Sequence, residues 1–411
     1  MSRKNDLLRP VVTILLLSIL IAEGQQQAYA IPLFARKYNT SCFTCHTTEP
    51  LLNEFGYRFQ ANGYQLPGTN EKLSIWDQSP APVGILASPM FSHARTEDNI
   101  SGTSTMTNTF SGIEVAVFNA GSLGSHFSFF TEIPVAIEEG NTTIEINDAH
   151  LIYSDLLGDG LKNLNFRLGK MRLFIPFIPN VLLSNADPLV YGYNTLAEKT
   201  SSELLFAEPT FGASAFGIFP QVFDGLRWEL AVTSGTKSDV DLKSAHALFA
   251  SLNQTIFFDN TLIRAGVFFY GGSEDVTDTS VAPTVWSNAV NRVGISAEIT
   301  DPWTKRINLF GEFIYANDNN SDASNGALRM DGGFVGVNVM IIPEEFYGFG
   351  RYDFMMVKQT EETRRQIDIG LRYHVLKNVI ITSGFNSTKQ TIPNRVDQTV
   401  LTLTLGTLFG F

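Results

Sequence analysis

The sequence predicts an all-β chain: an outer-membrane antiparallel barrel of about sixteen strands, with a small helical N-terminal segment plugging its lumen. Three observations predict it. From about Pro82 onward, runs of roughly ten residues alternate apolar and polar positions, the pattern of a strand with one face to lipid. No stretch of that region has the roughly 20 apolar residues of a membrane helix. The only two cysteines of the 411 residues stand together near the N-terminus, in a segment of different composition.

The chain opens with Arg3, Lys4 and Arg9, then an apolar run from Val11 to Ala22, then Ala28-Tyr29-Ala30. A basic start, an apolar run too short to span a bilayer and an A-x-A site make residues 1–30 a secretory signal peptide. The mature chain is expected to begin at Ile31. The formal net charge is −12, which argues against nucleic acid as a partner.

Residues 31–80 form the small segment. Cys42-Phe43-Thr44-Cys45-His46 has the C-x-x-C-H form of a c-type haem attachment site. Each thiol adds across one porphyrin vinyl group, and His46 is placed as the proximal iron ligand. A redox disulfide would need a βαβ context that is missing here. A structural zinc site would need four N or S ligands, and no second Cys/His pair lies nearby. The expected cofactor is therefore one covalent haem c on Cys42, Cys45 and His46. After it, Thr48 is expected as a helix N-cap, with Leu52, Phe55 and Phe59 on one helical face and Asn62-Gly63 as the stop. About fifty residues bury too little apolar surface to fold alone. The segment holds no methionine and no histidine but His46. Both deficits place it inside something larger, with a sixth iron ligand drawn from the barrel or from Lys37, Lys72 or the Ile31 amine.

Residues 81–411 form the barrel. The alternating runs lie near 82–94, 110–119, 125–137, 144–153, 164–170, 206–219, 224–234, 243–257, 261–271, 287–299, 307–317, 327–340, 347–358, 363–375, 378–388 and 396–411. Phe127, Phe129, Ile133 and Val135 form one outward set; Ile367, Ile369, Leu371 and Tyr373 form another. The residues between them are polar, so a wet lumen is expected. Connections alternate short (121–124, 258–260, 376–378) and longer (95–109, 171–205, 272–286, 317–322), which sets the N- and C-termini on the periplasmic side. The connection 171–205 is long enough to fold into the lumen or to cover the mouth. The chain ends in an alternating strand on Phe411, as barrels of this class typically do. By phase Met90 points inward and His93 outward, with His126 and His374 also inward. Met90 and His126 are the candidate distal ligands of the haem iron, and a methionine would raise the potential relative to a second histidine.

Phe34-Ala35-Arg36-Lys37-Tyr38, the C-x-x-C-H, Leu52-Asn53-x-Phe55-Gly56 and Asn62-Gly63-Tyr64 resemble the N-terminal block of outer-membrane monohaem cytochrome–porin fusions, whose best-known members are iron(II) oxidases. The resemblance is specific over about 35 residues and architectural over the barrel. It implies a haem segment that plugs its own barrel, and electron transfer between an extracellular donor such as Fe(II) and periplasmic c-type cytochromes. As an enzyme this would be an iron(II):cytochrome c oxidoreductase, working against outer-membrane lipid. The outer connections carry carboxylates (Glu97, Asp98, Glu274, Asp275, Asp278, Asp318, Asp322, Glu361, Glu362) that together would concentrate cations. Two other functions use the same parts: a solute channel with a structural or regulatory haem, and electron export to extracellular acceptors.

Overall fold

The computed structural model describes residues 33–48, 51–66, 82–138, 141–158, 163–177, 186–191, 209–219, 222, 225–234, 246–258, 261–278, 284–301, 303–319, 327–376 and 378–410. The signal peptide, Ile31, Lys72, Asp322 and Phe411 lie outside the described residues.

The N-terminal segment contains helix α1 (Leu33–Tyr38), a 3-10 turn over Cys42–Thr44, the short strands β1 (His46–Thr48) and β2 (Leu51–Leu52), and helix α2 (Glu54–Ala61). The barrel follows as β3 (Val83–Asp98), β4 (Thr103–Leu123), β5 (Phe127–Glu138), β6 (Asn141–Ile144), β7 (Asp148–Tyr153), β8 (Asn165–Met171), β9 (Thr210–Phe219), β10 (Leu226–Thr233), β11 (His246–Phe258), β12 (Thr261–Asp278), β13 (Thr284–Thr300), β14 (Ile307–Asp318), β15 (Leu328–Ile342), β16 (Phe346–Val357), β17 (Glu362–Leu376), β18 (Val379–Ile392) and β19 (Val396–Gly410). Every pairing is antiparallel, and β19 pairs back onto β3 to close the wall. Strand β5 pairs with both β6 and β7, so those two are halves of one interrupted stave, and the barrel has sixteen staves. Closure leaves no unpaired edge, as a spanning sheet requires in lipid.

The alternation sorts as expected on the outside. Along β17, Ile367, Ile369, Leu371 and Tyr373 are exposed, while the alternate positions Gln366 and Asp368 are buried. The outer connections differ from expectation. Asp98 pairs with Thr103, and Asp278 with Thr284, so the described residues of 95–109 and 272–286 are mostly extended ribbon, closed in the first by a tight turn over 99–102. Thr and Ser suit a pleated ladder, but without large apolar partners they do not announce it. The sequence pattern marks the part of each strand that meets lipid, and the hydrogen-bonded ladder runs beyond it.

The lumen differs from expectation along β10–β15, where it holds a packed core. Phe249, Phe268, Tyr270, Phe310, Ile314 and Phe334 from the wall form one buried cluster with residues of the long connection and with Leu51 of the N-terminal segment. Within 171–205, the described residues Leu173, Ile175, Phe177, Val190 and Tyr191 belong to that cluster, so the described part of this connection folds inward. The inward wall residues can be apolar because chain, and not water, covers them.

The N-terminal segment sits at the short-turn end of the barrel. Phe59, Ala61 and Tyr64 pack against Ile152, Phe174, Phe216 and Ile218. Asn165 Nδ2 donates to the Ala61 carbonyl at 3.1 Å, and Thr255 Oγ1 donates to Glu54 at 2.9 Å. Lys37 donates to Ser122 at 3.3 Å, and Arg36 to the Val83 carbonyl. The small segment therefore plugs the lumen. Its helix begins later than the pattern of apolar residues implied. The N-cap is Asn53, not Thr48, and Leu52 lies in β2 opposite His46. An asparagine followed by a glutamate is the stronger start signal, and the apolar spacing that includes Leu52 runs one turn past the helix.

Candidate functional site

Ser41 opens the cysteine turn: its Oγ accepts from Phe43 N at 3.3 Å. The turn closes when Cys45 N donates to the Cys42 carbonyl at 3.0 Å. Neither cysteine is in a disulfide, both are partly exposed, and His46 follows as the first residue of β1. Cys45 rests against the cluster of Phe59, Tyr64 and Phe216, where Phe34, Tyr38 and Phe130 also pack. Burial pushes its thiol pKa up, which favours the neutral thiol.

Helix α2 holds the turn from behind. Asn53 Oδ1 accepts from Gly56 N at 2.9 Å, which caps the helix. Its Nδ2 donates to the Phe43 carbonyl at 3.2 Å and the Thr44 carbonyl at 3.0 Å, and its backbone N donates to the Cys45 carbonyl at 2.9 Å. A Cβ on Gly56 would stand 2.1 Å from the Cys45 carbonyl oxygen, so the helix can lie this close only with glycine there.

The barrel wall holds the plug from two sides. On one side Phe43, between the cysteines, stacks on Tyr347 of β16 at 6.1 Å and meets His374 of β17 at 6.1 Å. On the other, the Tyr57 ring meets two guanidinium groups, Arg227 at 4.3 Å and Arg264 at 4.4 Å from its centroid. Arg264 is also paired with Glu298. These wall arginines are nearly buried, and covering them with an aromatic face keeps an electrostatic partner for each charge out of water.

The histidines and Met90 fall in different places. Met90 pairs with Gly406 and Phe91 with Leu405; Leu405 is exposed outward, so Met90 is on the lumen side as expected. His93 pairs with the outward Leu403 and bonds Asn108 at 2.7 Å. His126 does not follow its predicted phase. It sits in the β4–β5 turn, with Nδ1 3.0 Å from the Ser154 carbonyl and its ring stacked on Tyr153 at 5.7 Å, beside the outward Phe127. The strand alternation used to orient it ends one residue later, at Phe127. His374 faces inward and reaches the cysteine turn through Phe43. His150 is buried and stacks on Phe130 at 5.7 Å, and its role was not anticipated.

Two expected rim carboxylates are interior. Asp318 is buried in an ion pair with Arg292, and Glu362 is buried with Arg364 and Gln390. The collective negative rim is smaller than the sequence implied. The residues that sequence reasoning missed are Asn53, Tyr57, Arg227, Arg264 and Tyr347. Arg227 and Arg264 had a signal: each is a charge at an inward position of a membrane strand, which needs a partner inside.

The donor set can be tested against the groups it could hold. Among the described residues, no cluster of three or more His, Cys, Asp or Glu side chains could hold a bare metal ion. Two cysteines outside any disulfide on one turn, with an imidazole next to the second, suit a covalently attached porphyrin, and the aromatic residues beside Cys45 suit its apolar faces.

No protein-family model and no curated protein matches the chain. Solved barrels do. An anion-selective porin from Comamonas acidovorans superposes with a TM-score of 0.54 at 10% identity, covering 80% of this chain and 99% of the porin. OmpT, an outer membrane protein of Vibrio cholerae, gives 0.52 at 11% identity over 80% and 97%. OprB of Pseudomonas putida gives 0.51 at 9% identity over 84% and 99%. At these identities the likeness shows the fold: the chain is a porin-like outer-membrane barrel.

Proposed function

We propose that this chain carries one covalent haem c on Cys42 and Cys45, with His46 as its proximal ligand, and passes electrons across the outer membrane. The observation that carries the reading is the position of the C-x-x-C-H turn. It lies on a plug inside a sixteen-stave barrel, packed on Tyr347 and His374 of the wall. When bound, the group supplies a one-electron Fe(III)/Fe(II) couple. The chain's own residues do the rest. Asn53 and the wall rings fix the turn, the barrel separates it from lipid, and the described inward residues of the long connection cover the apolar inner face of β10–β15. Of the two residues that could serve such a group as a further ligand, Met90 keeps the lumen side of β3, whereas His126 stacks on Tyr153 beside the outward Phe127. The resemblance of residues 34–64 to the cytochrome–porin fusions supports an extracellular donor such as Fe(II) and a periplasmic c-type cytochrome as acceptor.

The second reading is a solute channel, favoured by the likeness of the barrel to porins. The test separates the two. The protein is made in a host that attaches c-type haem and reconstituted in liposomes holding oxidised cytochrome c. Electron transfer predicts reduction of the enclosed cytochrome by external Fe(II), and its loss in Cys42→Ala/Cys45→Ala. A solute channel predicts liposome swelling in sugars and no reduction beyond that control. Haem that dithionite reduces and Fe(II) does not would remove iron as donor and leave the rest standing.

A further inference from the structure

We infer that Asn53 is the positioning residue of the haem-attachment turn, setting the backbone on which both thiols and His46 are presented; this rests on the haem reading above. Every carbonyl from Cys42 to Cys45 has a donor. Cys42 takes Cys45 N, while Phe43, Thr44 and Cys45 take three bonds that all come from Asn53. One residue thus holds three successive carbonyls at 2.9 to 3.2 Å while its Oδ1 caps α2. The next residue after the turn, His46, is fixed by pairing with Leu52, the neighbour of Asn53. Asn53 therefore couples the ligand's backbone to the helix start.

Capping alone does not require asparagine. Asp and Ser cap about as well, because capping needs only a side-chain acceptor. The bonds to Phe43 and Thr44 need a donor that also leaves an acceptor free, which the primary amide provides and a carboxylate does not. Serine accepts for the cap but has no second arm, and aspartate sets a negative oxygen against two carbonyl oxygens. Asn53→Ser and Asn53→Asp thus remove the clamp and keep the cap. Thr255→Val is the control. It removes the hydroxyl that binds Glu54 and so loosens plug docking without touching the turn.

The experiment uses the full-length protein made with haem attachment. Barrel folding is read from resistance to unheated detergent. Covalent haem per barrel comes from the pyridine haemochrome, ligand geometry from ferric EPR, and the midpoint potential from a redox titration. Expected for Asn53→Ser is a folded barrel with less haem per barrel, and in the loaded fraction shifted, broadened g-values and a lower potential. Asn53→Asp should show the same change more strongly, and Thr255→Val should keep wild-type g-values and potential. Wild-type loading, g-values and potential in Asn53→Ser would overturn the inference and leave the haem reading intact. So would the same spectral change in Thr255→Val, since docking would then be the cause. A wild-type protein without covalent haem would overturn both.

Discussion

The absent side chain of Gly56 decides how closely α2 lies on the cysteine turn. An alanine there would put Cβ 2.1 Å from the Cys45 carbonyl oxygen and 2.9 Å from Leu52 Cδ2. The leucine can move; the backbone carbonyl is held by Asn53 and can move only if the turn does. Overpacking of this kind costs about 1–3 kcal/mol. Gly56→Ala should therefore undock the plug while the barrel stays folded, and limited proteolysis between residues 33 and 66 should become faster in a barrel that still resists unheated detergent. Tyr64 gives the plug a pH limit. It stacks on Phe34 at 5.1 Å and on Phe130 at 5.6 Å, and burial pushes its pKa from 10.0 up to about 12. Below pH 10 the phenol is neutral whether docked or not, so its contribution is fully present. Between 10 and about 12 only the undocked phenol ionises, and docking weakens as pH rises. Protection of the plug from protease should accordingly hold to pH 10 and fall above it. Tyr64→Phe should flatten part of that fall, the remainder belonging to Tyr57, whose pKa burial also raises.

Among the elements, the inward part of the long connection is fastened to four successive staves. The Tyr191 hydroxyl donates to Glu312 on β14, and Arg351 of β16 donates to the Ala186 carbonyl at 2.7 Å. Asp353 accepts from Leu189 N at 3.2 Å, and Gln366 of β17 donates to the Asp187 carbonyl at 3.0 Å. On β15, Phe334 meets the Tyr191 ring at 6.0 Å. Tyr191→Phe keeps the ring and removes the donor to a buried carboxylate, a loss of about 1–3 kcal/mol. A lower thermal midpoint with an unchanged outward surface is expected. A midpoint equal to wild type would show that the hydroxyl does not fasten the strap. None of these partners is visible in the sequence, because they are polar residues on strands far apart in the chain. The staves themselves were legible: all sixteen alternating windows contain strand, since lipid imposes a period of two on every one. What failed to show were the ribbon extensions, where Thr and Ser carry no apolar signal, and the break between β6 and β7. The cysteine turn was legible as a motif. The clamp from Asn53 was read instead as part of a helix, because a polar residue beside an apolar face announces a cap only once the helix start is known.

At the scale of the whole molecule, two inward pieces of chain share one lumen. The plug enters at the short-turn end, the described residues of the connection 171–205 fold in from the other, and they meet where Leu51 joins the cluster of Leu173, Phe177 and Tyr191. The wall does not depend on the plug for its own closure, since every stave is paired on both sides. Beside the apolar Ile152, Phe216 and Ile218, the plug covers polar and charged wall groups: Asn165, Arg227, Arg264 and Thr255 would all gain water if it left. A chain lacking residues 33–66 should therefore still fold as a barrel, because exposing these groups to a wet lumen relieves desolvation. Its single-channel conductance in planar bilayers should exceed that of the full chain, for the plug occupies the short-turn end of the lumen. Replacing Tyr191 by Phe in that shortened chain should raise conductance again by loosening the second obstruction. Equal conductance of the full and shortened chains would assign closure to the inward connection alone. A large, stable conductance in the full chain would mean that the plug does not seal the lumen, and the solute-channel reading would then replace electron transfer as the function that this architecture serves.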